Sequence, residues 1–453
     1  MSDNRRLFSS FYWVFIFVLL FFLHSSHQLN ADDGVILNGA WNMVNGRRLY
    51  LDFFSFIPPA GFYLVYTVWQ IFGVSFWSAQ IASIIVFFLA TVGIYKISQE
   101  VYPSKYNYYL PPLFALLTPW FWLINHNVYN FACLVGAVYF AVRGLAKGAL
   151  KDFVGAGLMT GLSILFLQQR GVALLGAVNI FLLILATKKR ISGKILLIYD
   201  LCALLPLLFL LFWPGHLLYS NLVDFPLFHY LESNRISYIL FFFFLLSLLV
   251  TSWVLRREKR TEIHFLLFIQ LCLLLSTLAL PDFYHIFLIF FPSLVLIPLV
   301  YKEISASRSG RLRYYLVFIV ICLVMIYYSL LGTIKLCLDV FPGEFISTIK
   351  NACADPYLYV GPFMPGLYFE SGKLSATPFD ILITGQQTES QFVLARKFLE
   401  SRRPECAILI FPQSLKRFHY NQDNPVDSYI RDNYLLTNYN TNLQDVYVYK
   451  RKK

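Results

Sequence analysis

Apolar runs separated by short polar loops make up the first three quarters of the chain. Eleven runs of about 15 to 25 residues can be marked, and they begin near Leu7, Ser75, Tyr106, Val128, Phe153, Val172, Ile195, Ile236, Ile263, His285 and Tyr314. A helix needs about 20 predominantly apolar residues to cross a bilayer. The pattern therefore predicts an α-helical polytopic membrane protein with about eleven transmembrane helices.

Composition and charge support this class. Of the 453 residues, 58% are hydrophobic and only 14% are charged, which excludes a soluble globular domain. The short loops on one side of the predicted spans carry 19 Lys and Arg, and those on the other side carry four, namely Arg47, Arg48, Arg170 and Arg235. By the positive-inside rule the N-terminus is cytoplasmic and everything after Leu336 is extracytoplasmic. The net charge of +12 then reflects topology, and we expect no nucleic-acid partner.

Two domains are predicted. Residues 1–336 form the transmembrane domain, whose first run carries Arg5 and Arg6 and reads as an uncleaved anchor. Its first external loop, residues 24–74, contains an interfacial helix that one of two aspartates caps, followed by a juxtamembrane helix up to Phe72. Residues 337–453 are predicted to form a small extracytoplasmic α/β domain, with strands at 358–360, 407–411 and 446–449 and helices from about Ser390 to Glu400 and near Asp427. Cys353 and Cys406 lie there, where a disulfide is chemically allowed but not deducible from sequence.

The polar residues of interest collect on the external side. Asp32 and Asp33 follow the first apolar run directly. The other members of the external set are Arg47, Arg48, Asp52, Asn125, His126, Asn127, Gln168, Gln169, Arg170, the loop from Pro214 to Arg235, Asp282 and His285. A transporter would place such groups near the bilayer midplane, on broken helices arranged as repeats. A ring of polar groups at one face favours an enzyme whose active site opens at the outer leaflet.

Three stretches resemble one family. They are ADDGVILNGAWNMVNGRRLYLDFFSFIPPAGFYL, LSILFLQQRGVALL and PDFYHIFLIFFPS, followed by a small C-terminal domain. The pattern is similar to the GT-C class of integral membrane glycosyltransferases that use polyprenol-phosphate sugars, including protein O-mannosyltransferases and lipid A aminoarabinose transferases. Many bacterial members carry a lysine immediately before the Pro-Pro pair, where this chain has Ile57.

The resemblance implies an inverting transfer of a hexose or pentose from a polyprenyl-phosphate donor to a hydroxyl of a glycan, lipid or protein of the cell envelope, at the bacterial plasma membrane. An acceptor hydroxyl needs a base, and Asp32 or Asp33 is the candidate. The leaving phosphate needs fixed cations, for which Arg170, Arg47, Arg48 and His285 are candidates. Candidate substrate-binding residues are Asp52, Asn125, His126, Asn127, Gln169 and Asp282.

Several of these residues also have structural interpretations that involve no substrate, and these stay open. Arg47 and Arg48 suit lipid headgroups equally well, and Asp52 suits an ion pair that holds its loop. Asp282 is as suitable for a helix cap bonded to His285 as for a substrate contact. The adjacent acids lack the Asp-x-Asp spacing of metal-dependent branches, so we expect the lipid-linked sugar as co-substrate without a required cation, although an unknown divalent ion stays open.

Two rival functions share the composition. A polysaccharide polymerase or ligase would have a long central external loop rich in arginine, and the loop from Pro214 to Arg235 is short. A transporter or flippase of lipid-linked sugars would show charges at mid-depth and repeat symmetry. Neither feature is visible, so a glycosyltransferase is the preferred interpretation.

Overall fold

The computed structural model describes residues 3–25, 31–118, 121–230, 238–278, 282–306, 327, 343–411, 420–437 and 445–452. Ten of the eleven predicted apolar runs lie on helices, and the run near Tyr314 lies outside the described residues. The chain forms two compact units. The helical unit contains residues 1–26, 77–209 and 236–337, and the mixed unit contains residues 27–76, 210–235 and 338–453.

Helices account for nearly all of the described part of the helical unit. They are Asp3–His24, Phe76–Val101, Leu110–Leu117, His126–Lys147, Leu150–Phe166, Gln168–Thr187, Gly193–Leu207, Ile239–Val254, Thr261–Leu275, Phe283–Ile289 and Phe291–Ala306. Aromatic rings fill its centre, where Phe114 stacks on both Phe131 and Phe287. Such contacts bury large apolar areas and fix how the helices cross.

Some of these helices are long enough to cross a membrane. Within the described residues, Phe76–Val101, His126–Lys147, Gln168–Thr187 and Gly193–Phe212 are long and apolar enough to span a bilayer. The pair Phe283–Ile289 and Phe291–Glu303 passes the same test together, with a bend of 59° between its halves. The protein is therefore an integral membrane protein, while the predicted count of eleven spans stays a prediction.

The two ends of the helical unit differ in charge. Helix His126–Lys147 ends beside the ion pair of Lys147 with Glu100, and helix Gln168–Thr187 runs into the basic loop that follows it. Both helices begin among Asn, His and Arg side chains. The basic loops and the polar group that includes Arg170 therefore lie at opposite ends of the same helices, as the loop charges predict.

The mixed unit contains the C-terminal sheet. Its strands are β1 (Tyr357–Pro362), β2 (Leu374–Ser375), β3 (Cys406–Ile410), β4 (Tyr434–Leu436) and β5 (Val446–Arg451), in the order β2-β1-β3-β5-β4. Strands β1, β2 and β3 are parallel, and β5 pairs antiparallel with β3 and β4. Helices of this unit are Ala31–Val44, Ala60–Phe72, Gly215–Tyr219, Gly343–Ala352, Gly366–Ser371, Glu389–Arg402 and Pro425–Asn433.

Local sequence patterns predict the strands and helices of the C-terminal domain, but they do not predict the bonds between its distant segments. The predicted strands at 358–360, 407–411 and 446–449 and both predicted helices are present. Cys353 and Cys406 form a disulfide, which sequence left open. One division between the two units falls after Cys337, and residues 27–76 belong to the same unit as the C-terminal domain. The predicted domain bounds stay a prediction.

Candidate active site

The acid pair lies in the first turn of helix Ala31–Val44, called here the acid-pair helix. The helix begins at Ala31, so neither aspartate occupies the capping position that we predicted. Negative charge in the first turn still favours the positive end of the helix dipole. The interfacial position that we predicted for this helix does not fit its burial, because Asn38, Asn42 and Ile36 are all fully buried.

The two acids differ in environment. Asp33 is 5% exposed, and its Oδ1 has no hydrogen-bond partner within the described part of the chain. Burial, and then the negative charge of Asp32, raise the pKa of Asp33 well above its usual range. Asp32 is only half-buried. A carboxyl with a raised pKa holds a proton more firmly and is the better base of the pair.

The charged residues of the loop after this helix form hydrogen bonds and an ion pair with other groups of the mixed unit. Arg48 pairs with Asp52 at 3.2 Å, and its side chain is 71% exposed. Asp52 also accepts from the Arg48 main-chain N–H, and these bonds lower the pKa of the carboxyl. The structure thus agrees with the interpretation in which Asp52 holds its loop. Arg47 donates to Asn42 Oδ1 and to the Ser375 carbonyl, so those two nitrogens already have partners.

The next segment folds as predicted up to Phe72. The Tyr50 hydroxyl donates to the Ile57 carbonyl, and the Trp213 indole N–H donates to the Leu49 carbonyl. Helix Ala60–Phe72 has 13 residues, or about 20 Å at 1.5 Å per residue, which is shorter than the bilayer core. It is therefore too short for a span, consistent with the expected juxtamembrane helix.

A second constellation lies in the helical unit. Its members are called here the polar cluster, and they are Asn125, His126, Asn127, Arg170, Asp282 and His285. Asn125 caps helix His126–Lys147, and its Oδ1 accepts from both nitrogens of Asn127. Asp282 caps helix Phe283–Ile289 and accepts from the main-chain N–H of His285, with the ring Nδ1 of His285 at 2.7 Å. The capping role of Asp282 is therefore confirmed.

Arg170 joins the cluster from the first turn of helix Gln168–Thr187. It is 2% exposed, and its Nη2 donates to the His285 carbonyl at 3.3 Å. It interacts electrostatically with His126 and with Asp282. Its Nη1 and the Nδ1 of His126 are buried without a hydrogen-bond partner in the residues described.

Local packing explains how Arg170 reaches this position. Only Leu167 separates helix Leu150–Phe166 from helix Gln168–Thr187. A Cβ on Gly171 would lie 2.4 Å from the main-chain N of Ile164, so only glycine allows this turn. The arrangement gathers donors at the positive ends of two long helices, which is chemistry suited to an anion.

Comparison with known proteins now places the fold. Residues 57–213 match the family model for dolichyl-phosphate-mannose-protein mannosyltransferase. The crystal structure of ArnT from Cupriavidus metallidurans bound to undecaprenyl phosphate superposes with a TM-score of 0.64 at 11% identity, covering 99% of this chain and 98% of its own. The apo oligosaccharyltransferase from Archaeoglobus fulgidus gives 0.59 at 11% identity, covering 90% of this chain and 70% of its own. No curated protein matches the sequence.

This chain has the GT-C fold. The predicted resemblance to the GT-C class is confirmed for the fold, while the predicted class of enzyme, a membrane glycosyltransferase, stays a prediction.

The structure brings together six of the predicted residues of this GT-C protein, the members of the polar cluster. Gln169 is exposed beside them. Arg47, Arg48 and Asp52 lie in the mixed unit with the acid pair, and Arg235 lies outside the described residues. Trp122, whose ring contacts Tyr284, was not predicted, and neither was buried Asp380. The sequence did not single out either residue, because one tryptophan beside apolar residues and one aspartate in a loop form no recognisable motif.

No group of three or more His, Cys, Asp or Glu side chains in the described ranges is arranged to hold a metal ion. A role for a divalent cation in this GT-C protein therefore stays an open prediction, as the sequence left it.

Proposed function

We propose that this chain transfers a sugar from a polyprenyl-phosphate donor to an acceptor hydroxyl on the extracytoplasmic face of the membrane, with Asp33 as the general base. The single observation that carries the proposal is a buried carboxylate with an unpartnered oxygen at the head of a helix in a GT-C fold. Support for the donor class comes from ArnT, whose structure holds undecaprenyl phosphate. The acceptor belongs to the envelope, as a glycan, a lipid or a protein.

The proposed base step follows from the environment of Asp33. The acceptor hydroxyl gives its proton to the carboxylate as its oxygen attacks the anomeric carbon, and the bond from that carbon to the phosphate oxygen breaks with inversion. Because burial and Asp32 raise the pKa of Asp33, its carboxylate takes up the proton of the attacking hydroxyl more readily than an ordinary aspartate would. Asp32 contributes its negative charge and is not itself the base.

The proposed leaving-group step assigns the phosphate to the polar cluster. Departure of the sugar leaves negative charge on the polyprenyl phosphate, which fixed donors stabilise. The buried Nη1 of Arg170 and the Nδ1 of His126 have donor capacity that no described residue uses. Arg47 and Arg48 are not part of this assignment, because their guanidinium groups already bond within the mixed unit.

The extracytoplasmic placement rests on two observations. The polar cluster lies at the ends of helices opposite the basic loops, which are cytoplasmic by the positive-inside rule. The Cys353–Cys406 disulfide lies in the C-terminal domain, and such bonds persist in oxidising compartments outside the cytosol. We accordingly propose that the N-terminus is cytoplasmic and that the plasma membrane holds the protein.

The test is release of polyprenyl phosphate by the purified protein. A panel of undecaprenyl-phosphate-linked hexoses and pentoses serves as donor, and an envelope extract serves as acceptor. We expect wild-type turnover, loss of turnover in Asp33→Asn, and partial activity in Asp32→Asn. If no donor is consumed and labelled lipid instead moves between leaflets of proteoliposomes, the protein is a flippase and the proposal is wrong.

A further inference from the structure

Two arginines of the mixed unit meet at one carbonyl oxygen. Arg47 follows the acid-pair helix, and its Nη2 donates to the Ser375 carbonyl at 2.9 Å. Arg402 lies in the last turn of helix Glu389–Arg402, and its Nη1 donates to the same carbonyl at 3.2 Å and to the Ala376 carbonyl at 3.1 Å. Two segments that are far apart in the chain therefore place their guanidinium groups beside each other.

Aromatic rings hold both guanidinium groups in place. The Cζ of Arg402 lies 4.8 Å from the centre of the Tyr357 ring and 5.1 Å from the centre of the Phe398 ring. The Cζ of Arg47 lies 5.7 Å from the centre of the same Tyr357 ring. A cation within about 6 Å of a ring centre is attracted by the face of the ring. Both arginines are also half-buried, so little side-chain freedom remains to be lost when a ligand binds.

Neither arginine has a carboxylate partner. In the ranges that the structure describes, no carboxylate oxygen lies within 4 Å of a guanidinium nitrogen of Arg47 or Arg402. Asp355 accepts from the Tyr357 main-chain N–H instead. Other arginines of the mixed unit do form ion pairs, namely Arg48 with Asp52, Arg396 with Glu400 and Arg431 with Asp423. Two neighbouring positive charges are therefore left without a directly bonded negative group.

The two charges act on each other. Burial, and then the positive charge of Arg47, lower the pKa of Arg402. Like charges this close are unfavourable, and an anion bound between them is attracted by both. Together the two arginines favour a bound anion more strongly than a single surface arginine does.

Both arginines keep hydrogen-bond donors for such an anion. A guanidinium has five N–H donors. Arg402 makes its bonds to carbonyls through Nη1, so the edge formed by its Nε and Nη2 has no partner among the residues described. Arg47 donates from Nη1 to Asn42 and from Nη2 to Ser375, and its Nε likewise has no described partner. One complete guanidinium edge and a donor of the second arginine therefore remain.

A phosphate monoester suits this set of donors. One guanidinium edge donates to two oxygens of an oxyanion at once. A carboxylate has only two oxygens, and one edge uses both of them. A phosphate monoester has three terminal oxygens and carries about two negative charges at neutral pH, which is enough for two arginines.

We propose that Arg47 and Arg402 form a site for a phosphate monoester, with the edge of Arg402 bonded to two of its oxygens and Arg47 bonded to the third. The Ser375 carbonyl holds the two guanidinium groups together. The monoester is a lipid headgroup or a soluble phosphate, because both present the same three oxygens. The polar cluster belongs to the other unit and shares no residue with this site, so the inference does not depend on the proposed function.

The first test is binding of inorganic phosphate to the full-length protein in detergent, measured by isothermal titration calorimetry at constant ionic strength. Every protein carries Arg170→Gln, so that phosphate bound at the polar cluster contributes little. We expect Arg402→Gln to weaken the remaining binding on the order of tenfold or more, the usual effect of removing a charged hydrogen-bond partner. Arg402→Lys should recover only part of the loss, because an ammonium keeps the charge but lacks the planar edge.

Arg396→Gln is the matched control. Arg396 lies on the same helix as Arg402 and within 5.9 Å of an aromatic ring centre, that of Tyr429, but it pairs with Glu400 at 2.7 Å. Its affinity for phosphate should equal that of the parent protein. Unchanged affinity in Arg402→Gln, an equal loss in Arg396→Gln, or binding of acetate as tight as that of phosphate would overturn the proposal.

Arg47→Gln tests the second arginine. It should weaken phosphate binding as Arg402→Gln does, and unchanged affinity would overturn a site made by two arginines. Because Arg47 also bonds to Asn42, the thermal unfolding midpoint is measured alongside. If Arg47→Gln unfolds early, Arg47→Lys takes its place, since the ammonium can keep one of these bonds while it lacks the planar fork.

The second test distinguishes the two sources of the phosphate. Hydrogen–deuterium exchange of residues 373–377 and 399–403 is compared in detergent with and without inorganic phosphate, and in nanodiscs of phosphatidylcholine with and without phosphatidic acid. Exchange roughly threefold slower with inorganic phosphate alone indicates a soluble ligand, and slower exchange with phosphatidic acid indicates a headgroup. Arg402→Gln should abolish either effect. Exchange that is the same under all four conditions would overturn the proposal.

Discussion

Gly34 and Gly366 approach each other so closely that neither main chain leaves room for a side chain between them. A Cβ on Gly34 would lie 2.4 Å from the N and 2.8 Å from the Cα of Gly366. Both are main-chain atoms, which cannot rotate away as the end of a flexible side chain can. The glycine directly after the acid pair therefore sets how the acid-pair helix packs on the C-terminal domain.

We expect Gly34→Ala to destabilise the mixed unit by about 1–3 kcal/mol, the usual cost of overpacking. The measurement is thermal unfolding of the purified protein in detergent. Gly343→Ala is the control, because a Cβ there meets no atom within 4 Å. An unchanged midpoint in Gly34→Ala would show that the two main chains can separate without cost.

Arg170 should matter far more than Arg48, although both are arginines of the predicted external side. We expect Arg170→Gln to lower the rate of donor cleavage by on the order of 10²–10³, the usual effect of removing one preorganised donor. Arg170→Lys should recover only part of the loss, because an ammonium lacks the planar fork of the guanidinium. Steady-state release of polyprenyl phosphate measures both.

Arg48→Gln is the control for Arg170. Arg48 is exposed and its bond to Asp52 lies at the surface, where such pairs contribute little. Its turnover should match the wild type. Equal losses in the Arg48 and Arg170 variants would contradict the assignment of the phosphate to the polar cluster.

Much of the architecture was predictable because its signals are local. Apolar runs and loop charges predicted ten helical runs and the two ends of the helical unit. The six residues of the polar cluster were selected from three separate loops, and topology alone predicts that external loops meet at one face. Asp282 capping its helix followed from spacing within a single turn.

What sequence could not give depends on contacts between distant segments. Trp41 bonds to Lys373, and Arg47 bonds to Ser375, each across more than three hundred residues. The pattern of apolar and polar residues within a short stretch of sequence does not show which distant segment that stretch contacts. For the same reason, the sequence kept Arg47 as a phosphate candidate ranked after Arg170 and left Asp380 unnoticed.

The disulfide should stabilise the C-terminal domain. Cys353 and Cys406 are 53 residues apart and both are buried, so the bond closes a long loop of the unfolded chain. Replacing both by serine should lower stability by about 2–4 kcal/mol. Limited proteolysis of residues 343–452 against urea concentration measures this. Cys202→Ser, at a free cysteine of the helical unit, should leave that domain unchanged.

Asp427 should make the C-terminal domain less stable as pH rises. The carboxyl is fully buried and accepts from the Tyr420 hydroxyl at 2.8 Å, and burial raises its pKa from 3.8 to about 6. Between these values the folded chain binds a proton that the unfolded chain has released, so stability falls as pH rises through about 4 to 6 and is constant above. The difference corresponds to about 3 kcal/mol.

Hydrogen exchange of helix Pro425–Asn433 at about pH 4 and about pH 7 tests this, after intrinsic correction. The wild type should lose protection at the higher pH, and Asp427→Asn should lose less, because asparagine carries no charge to bury. Asp423→Asn is the control, since the Asp423 side chain is 90% exposed. An Asp427→Asn profile that follows the wild type across this range would show that the buried carboxyl does not titrate there.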